Sequence, residues 1–391
     1  MCLYGEVVMK EFVRGYISEI HADIAENIYD LGDGEKLITF DYDRIREFCC
    51  PLSELGWKAL KRFSLGNTDG TFYAHEDGRT LYVYTNSGMP FGRAVLGAKL
   101  PAPDDFGGEA VYDDTVFYQV PTRAEDEPYE GGMTYLIRLR DGRFIIIDGG
   151  FECSPSELID TMHRLHMRAG SDTVFEVAAW IFTHPHNDHV TLFFRMFEEK
   201  ESLAKINIKR LIYNSSCDEL LFERCASSAP DSVRQHEITG LLAKDGTEFW
   251  KPHTGMSFTI GELLFDVYYT QNEWTHSDMI YLNDASTVFS IKRSGGRKIM
   301  MLGDIMEFAG DYIMKMYAPG DLTADAVQVA HHAVRGPDIE IYKAIAPKVC
   351  FWSMQPVCYD LYSTKFERNV HLRELDAFHC ISCFGPSQIT L

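Results

Sequence analysis

Three imidazoles and a carboxylate fall within six residues in Thr183-His184-Pro185-His186-Asn187-Asp188-His189, between the apolar run 175–182 and the helix-like Val190-Thr191-Leu192-Phe193-Phe194-Arg195-Met196-Phe197. His184 and His186 stand two apart, so an extended or looping backbone turns both side chains to one side, where they bind a single ion. Asp188 and His189 come where the chain bends into a helix and serve a second ion close to the first. Neutral imidazole is a good ligand, and the carboxylate offsets part of the charge of two divalent cations. The bland alternative is a polar loop of satisfied histidines. This spacing, directly after a buried strand, is improbable for such a loop.

The seven residues resemble the signature of the metallo-β-lactamase superfamily, and the resemblance implies an αββα sandwich with the motif after a strand. Asp148-Gly149-Gly150, ending the apolar Phe144-Ile145-Ile146-Ile147, resembles the family's first motif, an Asp-Gly turn that braces the site. Met300-Met301-Leu302-Gly303-Asp304 resembles the strand-Gly-Asp element whose carboxylate bridges both ions. Val327-Gln328-Val329-Ala330-His331-His332 resembles the strand-His element that completes the second ion's shell. The four matches keep the family's order from Asp148 to His332.

Carried onto this chain, the resemblance implies His184 and His186 on the first ion, Asp188, His189 and His331 on the second, and Asp304 across both. Asp148 acts from behind, holding a ligand loop or a histidine tautomer. Two ions about 3.5–4 Å apart with a hydroxide between them form the nucleophile, and zinc brings bound water towards pKa ~7. Asp188 also orients that hydroxide, and His332 either donates to a substrate oxygen or packs beside the site. The metals are expected to be two divalent ions, zinc first, with manganese or iron as alternatives.

One departure stands out. Many members supply a third histidine from a Gly-His-Thr-Pro-Gly-Ser-like loop, and here the corresponding place reads Trp274-Thr275-His276-Ser277-Asp278 and then Asn283-Asp284-Ala285-Ser286. His276 is the candidate replacement ligand. The Asn-x-x-Ser segment instead resembles the hydrolase domains of bacterial DNA-uptake competence proteins. His236 and His253 are weaker candidates, with surface positions as the alternative.

The elements that must position these groups are read from pattern. Residues 1–108 read as a small α+β extension: helix-like spacing over 12–28, a helix interrupted at Pro51 over 44–63, and short strands from Gly70 to Leu96. A proline-, glycine- and acid-rich linker over 101–108 follows. From 109 to 391 a hydrolase domain is expected. Strands at 115–120, 133–139 and 143–147 include a hairpin at Asp141-Gly142. Ser154-Pro155-Ser156-Glu157 is a capping box that starts a helix carrying His163 and His166, which default to surface or boundary histidines. Strands follow at 175–182, 210–213, 248–250, 257–260, 263–270, 286–292, 298–302, 326–330 and 349–352. Helices fall at 190–199, 218–225, 231–242, 306–317 and 338–345. Every proposed ligand of the resemblance then lies at a strand end.

Composition bounds the function. The 391 residues, 46% hydrophobic and 13% aromatic, are enough for one large or two modest soluble domains. A formal charge of -21, from 58 acidic against 37 basic side chains, disfavours tight nucleic-acid binding without a basic groove, and no such run is visible. No export signal or membrane-length apolar run is seen, so a cytoplasmic location, no membrane contact and reduced thiols are expected for the ten scattered cysteines. Cys380-Ile381-Ser382-Cys383 has no second pair and reads as buried thiols. The partner is expected to be a small-molecule substrate, and a homo-oligomer is compatible with the sequence. The reaction expected is hydrolysis of a small phosphodiester or related phosphorus ester. The alternatives are a carboxylic ester, thioester or lactone, and a non-catalytic metal-binding or di-iron redox or sensing protein.

Overall fold

The computed structural model describes residues 3–102, 104, 109–122, 132–151, 153–215, 229–275, 281–362 and 365–391. Among them the chain forms three sheets. The first is antiparallel and N-terminal: β1 (Asn27–Gly32), β2 (Glu35–Phe40), β3 (Trp57–Leu65), β4 (Thr68–His75), β5 (Thr80–Asn86) and β6 (Phe91–Leu96), in the order β1-β2-β6-β5-β4-β3. Helices α1 (Leu3–Tyr16) and α2 (Glu19–Ile24) pack on its outer face through Val13, Ile17 and Ile24 against Ile38, Leu81 and Val83.

The other two sheets form the sandwich. One holds β7 (Val116–Gln119), β8 (Tyr135–Arg138), β9 (Phe144–Ile147), β10 (Phe175–Ile181), β11 (Ile206–Ile208), β12 (Arg210–Ile212), β13 (Glu248–Trp250) and the C-terminal β21 (Ser387–Thr390). The facing sheet holds β14 (Ser257–Ile260), β15 (Leu263–Tyr269), β16 (Val288–Arg293), β17 (Lys298–Met301), β18 (Ala326–Gln328), β19 (Val349–Trp352) and β20 (Phe378–Ile381). The strand period of two decides which residues meet what. In β9 and β10, Ile145, Ile147, Ala179 and Ile181 face the inter-sheet core, while Phe144, Ile146, Val177 and Trp180 face α3 (Pro155–Leu165) and α4 (Asn187–Glu198), an irregularity between Val177 and Ala179 resetting the alternation in β10. With α5 (Ala229–Lys244) on that side, and α6 (Gln271–Thr275), α7 (Glu307–Met316) and α8 (Ile339–Ile345) following in the chain, this is the four-layer αββα sandwich. The capping box at Ser154 is formed as its sequence predicts, with Glu157 N–H donating to Ser154 Oγ and Ser154 N–H to Glu157 Oε2.

The N-terminal sheet is not a loose appendage. Its inner residues Leu37, Phe72, Tyr82, Tyr84 and Val95 share one continuous core with Phe265, Phe289 and Ile313 of the sandwich. Polar contacts follow the same seam: Tyr82 Oη donates to Thr254 O at 3.0 Å, Asn86 Nδ2 to Met316 O at 3.0 Å, and Lys251 Nζ to Leu31 O at 2.7 Å. At its centre Glu273 is fully buried, accepting from Tyr84 Oη at 2.7 Å and lying 3.5 Å from Arg93 Nε. The guanidinium supplies the countercharge that a carboxylate in an apolar seam requires.

Three sequence expectations are corrected in this region. The stretch 44–63 is a helix only over Ile45–Cys49, and Trp57 to Leu65 is a strand at the sheet's edge with most side chains in solvent, so no alternation marks it. The start of the 12–28 helix reading holds, yet Asn27 opens a hairpin whose two-residue turn, Asp33-Gly34, has φ of 56° and 82°. Of the weaker ligand candidates, whose alternative was a surface position, His253 is completely buried with Nε2 3.4 Å from Glu35 Oε2, and His236 Nε2 lies 3.3 Å from Asp33 Oδ2. The helix expected at 218–225 lies outside the described residues. Among the described residues no helix is long and apolar enough to cross a membrane.

The buried pair at the seam predicts a non-additive pair of mutations. R93M should leave Glu273 buried without its countercharge and destabilise the protein by about 3–5 kcal/mol. Adding E273Q should recover most of that loss, as read from urea-denaturation midpoints of the single and double variants.

Candidate metal centre

Five strands end at one edge of the sandwich because β9 and β10 run parallel in one sheet, and β17, β18 and β19 run parallel in the other. Parallel strands present their C-terminal ends together. Asp148 follows β9, His184 follows β10, and His186 is the N-cap of α4 with Asp188 and His189 in its first turn. Asp304 follows β17, His331 and His332 follow β18, and Ser353 follows β19. A hydrogen bond from Thr287 N–H to Thr183 O at 2.8 Å ties the two sheets at this edge.

One donor atom each from Asp188, His189, Asp304 and His332 lies within 4.8 Å of the others. His189 Nε2 is 3.2 Å from Asp304 Oδ2, and His332 Nε2 is 3.2 Å from Asp188 Oδ2 and 3.6 Å from Asp304 Oδ2. On the other side of Asp304, His184 Nε2 is 3.9 Å from Oδ2 and 2.9 Å from His186 Nδ1. Asp304 thus touches both groups, as the bridging element of the resemblance implies.

The orientation of each ring is set from behind. His189 Nδ1 donates to Asp148 Oδ2 at 2.9 Å, and Asp148 also accepts from Thr183 N–H at 2.7 Å and Thr183 Oγ1 at 2.9 Å. His332 Nδ1 donates to Ser353 O at 2.8 Å. With both Nδ1 atoms committed as donors, the Nε2 atoms of His189 and His332 face each other at 3.3 Å, each 3.2 Å from a carboxylate oxygen. Two imidazole nitrogens and two carboxylates converging there, beside a buried Asp304 Oδ1 that has no hydrogen-bond partner, are a donor set suited to a cation. The residues present therefore fit a metal.

Ionisation agrees with that reading. Burial depresses the pKa of His184, His186 and His331, which keeps them neutral and available as ligands. Burial works the same way on His189 and His332, but Asp304 and the other nearby carboxylates outweigh it and raise both, His332 to about 9. The carboxyls of Asp188 and Asp304 are held low, burial being overcome chiefly by His189 and His332. A proton takes the place of a cation between the same atoms.

The two adjacent histidines exchange places relative to the expectation. His332, not His331, joins Asp188, His189 and Asp304. His331 stands 4.0 Å from Asp304 Oδ2, with Nε2 accepting from Asn283 Nδ2 at 3.2 Å, and at 19% its side chain is the more exposed of the two. The cause is backbone: His331, His332 and Ala333 have φ of 52°, 50° and 59°, a left-handed turn that swings the second ring inward. Such conformations are unfavourable by about 1–2 kcal/mol per residue. Hydrogen bonds hold it, from His331 N–H to Gly303 O at 3.2 Å and from Asn369 Nδ2 to Ala333 O at 2.7 Å.

The segment 283–286 is a brace. Ser286 Oγ accepts from Asp304 N–H at 3.1 Å, and Asp284 Oδ1 accepts from Met306 N–H at 2.8 Å and Ala309 N–H at 3.1 Å at the start of α7. Gly303 completes it: with φ +56, a Cβ there would stand 2.9 Å from both Ser286 Cβ and Thr183 Cβ. His276 lies outside the described residues. His163 packs edge-on against Phe175, and His166 against Tyr112; neither is in the cluster. Sequence reasoning missed the bracing roles of Thr183, Asp284 and Ser353; the Thr preceding the first histidine was the one signal in view.

Residues 129–197 match the family model described as the metallo-beta-lactamase superfamily, a span that includes Asp148 and the whole His184–His189 motif. No curated protein matches the chain. Among solved structures it is similar to the metallo-beta-lactamase fold protein YhfI from Bacillus subtilis, at 12% identity and TM-score 0.41 over 71% of this chain and 100% of that one. It is similar also to a metallo hydrolase from the archaeon Ignicoccus hospitalis, at 15% identity and TM-score 0.38 over 71% and 98%. A third is CmlA, a diiron beta-hydroxylase from Streptomyces venezuelae, at 14% identity and TM-score 0.35 over 75% and 55%.

The exchange of the two histidines is testable by metal content. H332Q should lower the bound metal measured by plasma mass spectrometry, whereas H331Q should retain it. The reverse result would restore the order that the sequence suggested.

Asp284 gives a pH signature. Burial raises its carboxyl from the ordinary 3.8 to about 6. The folded state therefore holds this proton more tightly than the unfolded state, and that stabilisation is full below pH 4 and lost as pH rises through 6. D284N keeps the accepting oxygen without the ionisation. Relative to wild type it should gain about 3 kcal/mol between pH 3.5 and 8, read from denaturation at each pH; a flat difference would refute the shift.

Proposed function

We propose, from the premise that this chain belongs to the metallo-β-lactamase superfamily and is a metal-dependent hydrolase of that fold, that its substrate is a small phosphodiester or related phosphorus ester. The observation that carries the hydrolytic reading is the facing pair of Nε2 atoms on His189 and His332, with Asp188 and Asp304 beside them. Divalent cations there would be held by His184, His186 and Asp304 on one side and by Asp188, His189, His332 and Asp304 on the other, and would supply Lewis-acid activation of water and of the scissile ester. Zinc, manganese and iron all suit this nitrogen and oxygen donor set.

The chain's own residues support a phosphorus ester. Two dications against the carboxylates of Asp188 and Asp304 leave the pocket locally positive, which favours an anionic substrate. Asn283 and His331 stand at the rim of the cluster as neutral hydrogen-bonding groups, suited to the non-bridging oxygens of a tetrahedral phosphate. His331 is the imidazole that a bound substrate reaches, and Asn283 fixes its ring. Away from the site the acidic surface disfavours a polymeric anion, which points to a small molecule.

A carboxylic ester, thioester or lactone is the second reading, and one observation favours it. Among the described residues no lysine or arginine pairs with Asp148, Asp188 or Asp304, and an uncharged carbonyl substrate needs none. The two readings separate on substrate panels. The metal-loaded protein should turn over bis-p-nitrophenyl phosphate with a kcat/KM at least about tenfold above that for a lactone or a thioester, and D304A should lose both metal and turnover. The opposite preference would establish the carbonyl reading. Bound iron with visible absorbance and no ester turnover would replace hydrolysis by redox chemistry.

A further inference from the structure

We propose that a cavity at the other end of the β7–β10 sheet is a second binding site, for a small oxyanion: a phosphate- or carboxylate-bearing molecule. The cavity has a volume of about 480 Å³, and its lining includes Tyr112, Asp114, Arg138, Arg164 and Arg168. It lies away from the metal centre along the same strands. On β8, Tyr135 pairs with Ile147, the residue before Asp148, while Arg138 pairs with Phe144 at the opposite end. Helix α3 spans between the two places: its N-cap Ser154 follows the Asp148 turn, and its last residue, Leu165, lines the cavity.

Arg138 is the centre of the site. It is only 5% exposed, its guanidinium lies 3.8 Å from the centre of the Tyr112 ring, and it donates to Leu165 O at 3.2 Å, to Asp114 O at 3.1 Å and to the Asp114 carboxylate. Its Nε–H nevertheless has no acceptor, and neither has the Tyr112 hydroxyl, although both atoms are buried. Buried polar groups in folded proteins are almost always paired. Both belong to residues that line the cavity, which is thus rich in donors and short of acceptors, and an oxyanion presents several.

Charge supports the same ligand. Asp114 is matched by Arg138, so Arg164 and Arg168, exposed at the rim, leave the cavity positive against Asp113 alone. In a chain of formal charge -21 this is a local reversal of sign. Guanidinium groups meet carboxylate and phosphate edges through paired hydrogen bonds, so a cavity lined by three arginines favours that chemistry over a halide or a neutral solute.

The test uses the full metal-loaded chain and two probes, inorganic phosphate and succinate, which separate the phosphate from the carboxylate source. Addition of the preferred probe should shift the Arg138 Nε–H resonance in nitrogen-15 NMR spectra, with that signal assigned by its loss in R138K. R164Q/R168Q, altered only at exposed positions, should weaken binding in calorimetry by at least about tenfold, or about 1.4 kcal/mol. H332Q, altered in the metal centre, should bind as wild type. An Arg138 signal unmoved by either probe at about 20 mM, where a site of millimolar Kd is mostly filled, would overturn the proposal. So would wild-type affinity in R164Q/R168Q, or loss of binding in H332Q, which would place the anion on the metals instead.

Discussion

Two imidazole Nε2 atoms pointed at each other across 3.3 Å, inside a protein, need a cation or protons shared with the flanking carboxylates, and much of this structure exists to keep them so pointed. Either ring could relieve the conflict by turning or by changing tautomer. Asp148 denies that to His189 by taking its Nδ1 proton, and the Ser353 carbonyl denies it to His332. Both partners are themselves fixed. Asp148 is clamped by two donors from Thr183, itself in a positive-φ conformation of 56° at the end of β9, and Ser353 is the residue after β19. The affinity of such a site for metal therefore resides as much in the groups behind the ligands as in the ligands.

Holding ligands from both sheets imposes a second constraint, since the sheets meet here only edge to edge. Thr183 and Thr287 are joined through their backbones, Gly303 lets Ser286 and Thr183 approach more closely than any side chain would permit, and Gln328 ties the Gly303 carbonyl to β18. The left-handed turn at His331–Ala333 belongs to the same bargain. It is strained, yet it is the conformation that sends His332 inward while leaving His331 beside Asn283 at the mouth. Strain of this kind persists where the surroundings over-determine it, and here Arg368 and Asn369 both donate to the Ala333 carbonyl.

The N-terminal sheet enters through the wall of the pocket. Glu273 lies in α6, and its neighbour Trp274 packs with Ala229, Leu282 and Ala285 immediately beside Asn283. Tyr84 and Arg93 hold Glu273 from the N-terminal sheet, and Asn86 holds the end of α7, the helix that starts just after Asp304. The sheet thus braces both segments that flank the bridging aspartate. A shared core across this seam makes the sheet part of the same cooperative body as the sandwich, and a movement of one is felt in the other.

What could be read from the sequence follows from the range of the interactions. His184 to His189 announce themselves because ligand spacing along a turn is local, and Asp148 and Asp304 because each ends an apolar strand. The order of His331 and His332 was hidden: positive φ in three consecutive non-glycine residues has no sequence signal, so adjacent histidines are interchangeable on paper. Trp57 to Leu65 was lost for the opposite reason, since an edge strand wet on both faces has no period to read. The Asp33-Gly34 turn was legible as a hairpin signal and went unused. Tyr84 and Glu273, separated by 189 positions, carry no mark of each other in the sequence. The ligands from His184 to His189 are contiguous and readable, whereas the seam of Tyr84, Arg93 and Glu273 is written in pairs that only folding brings together.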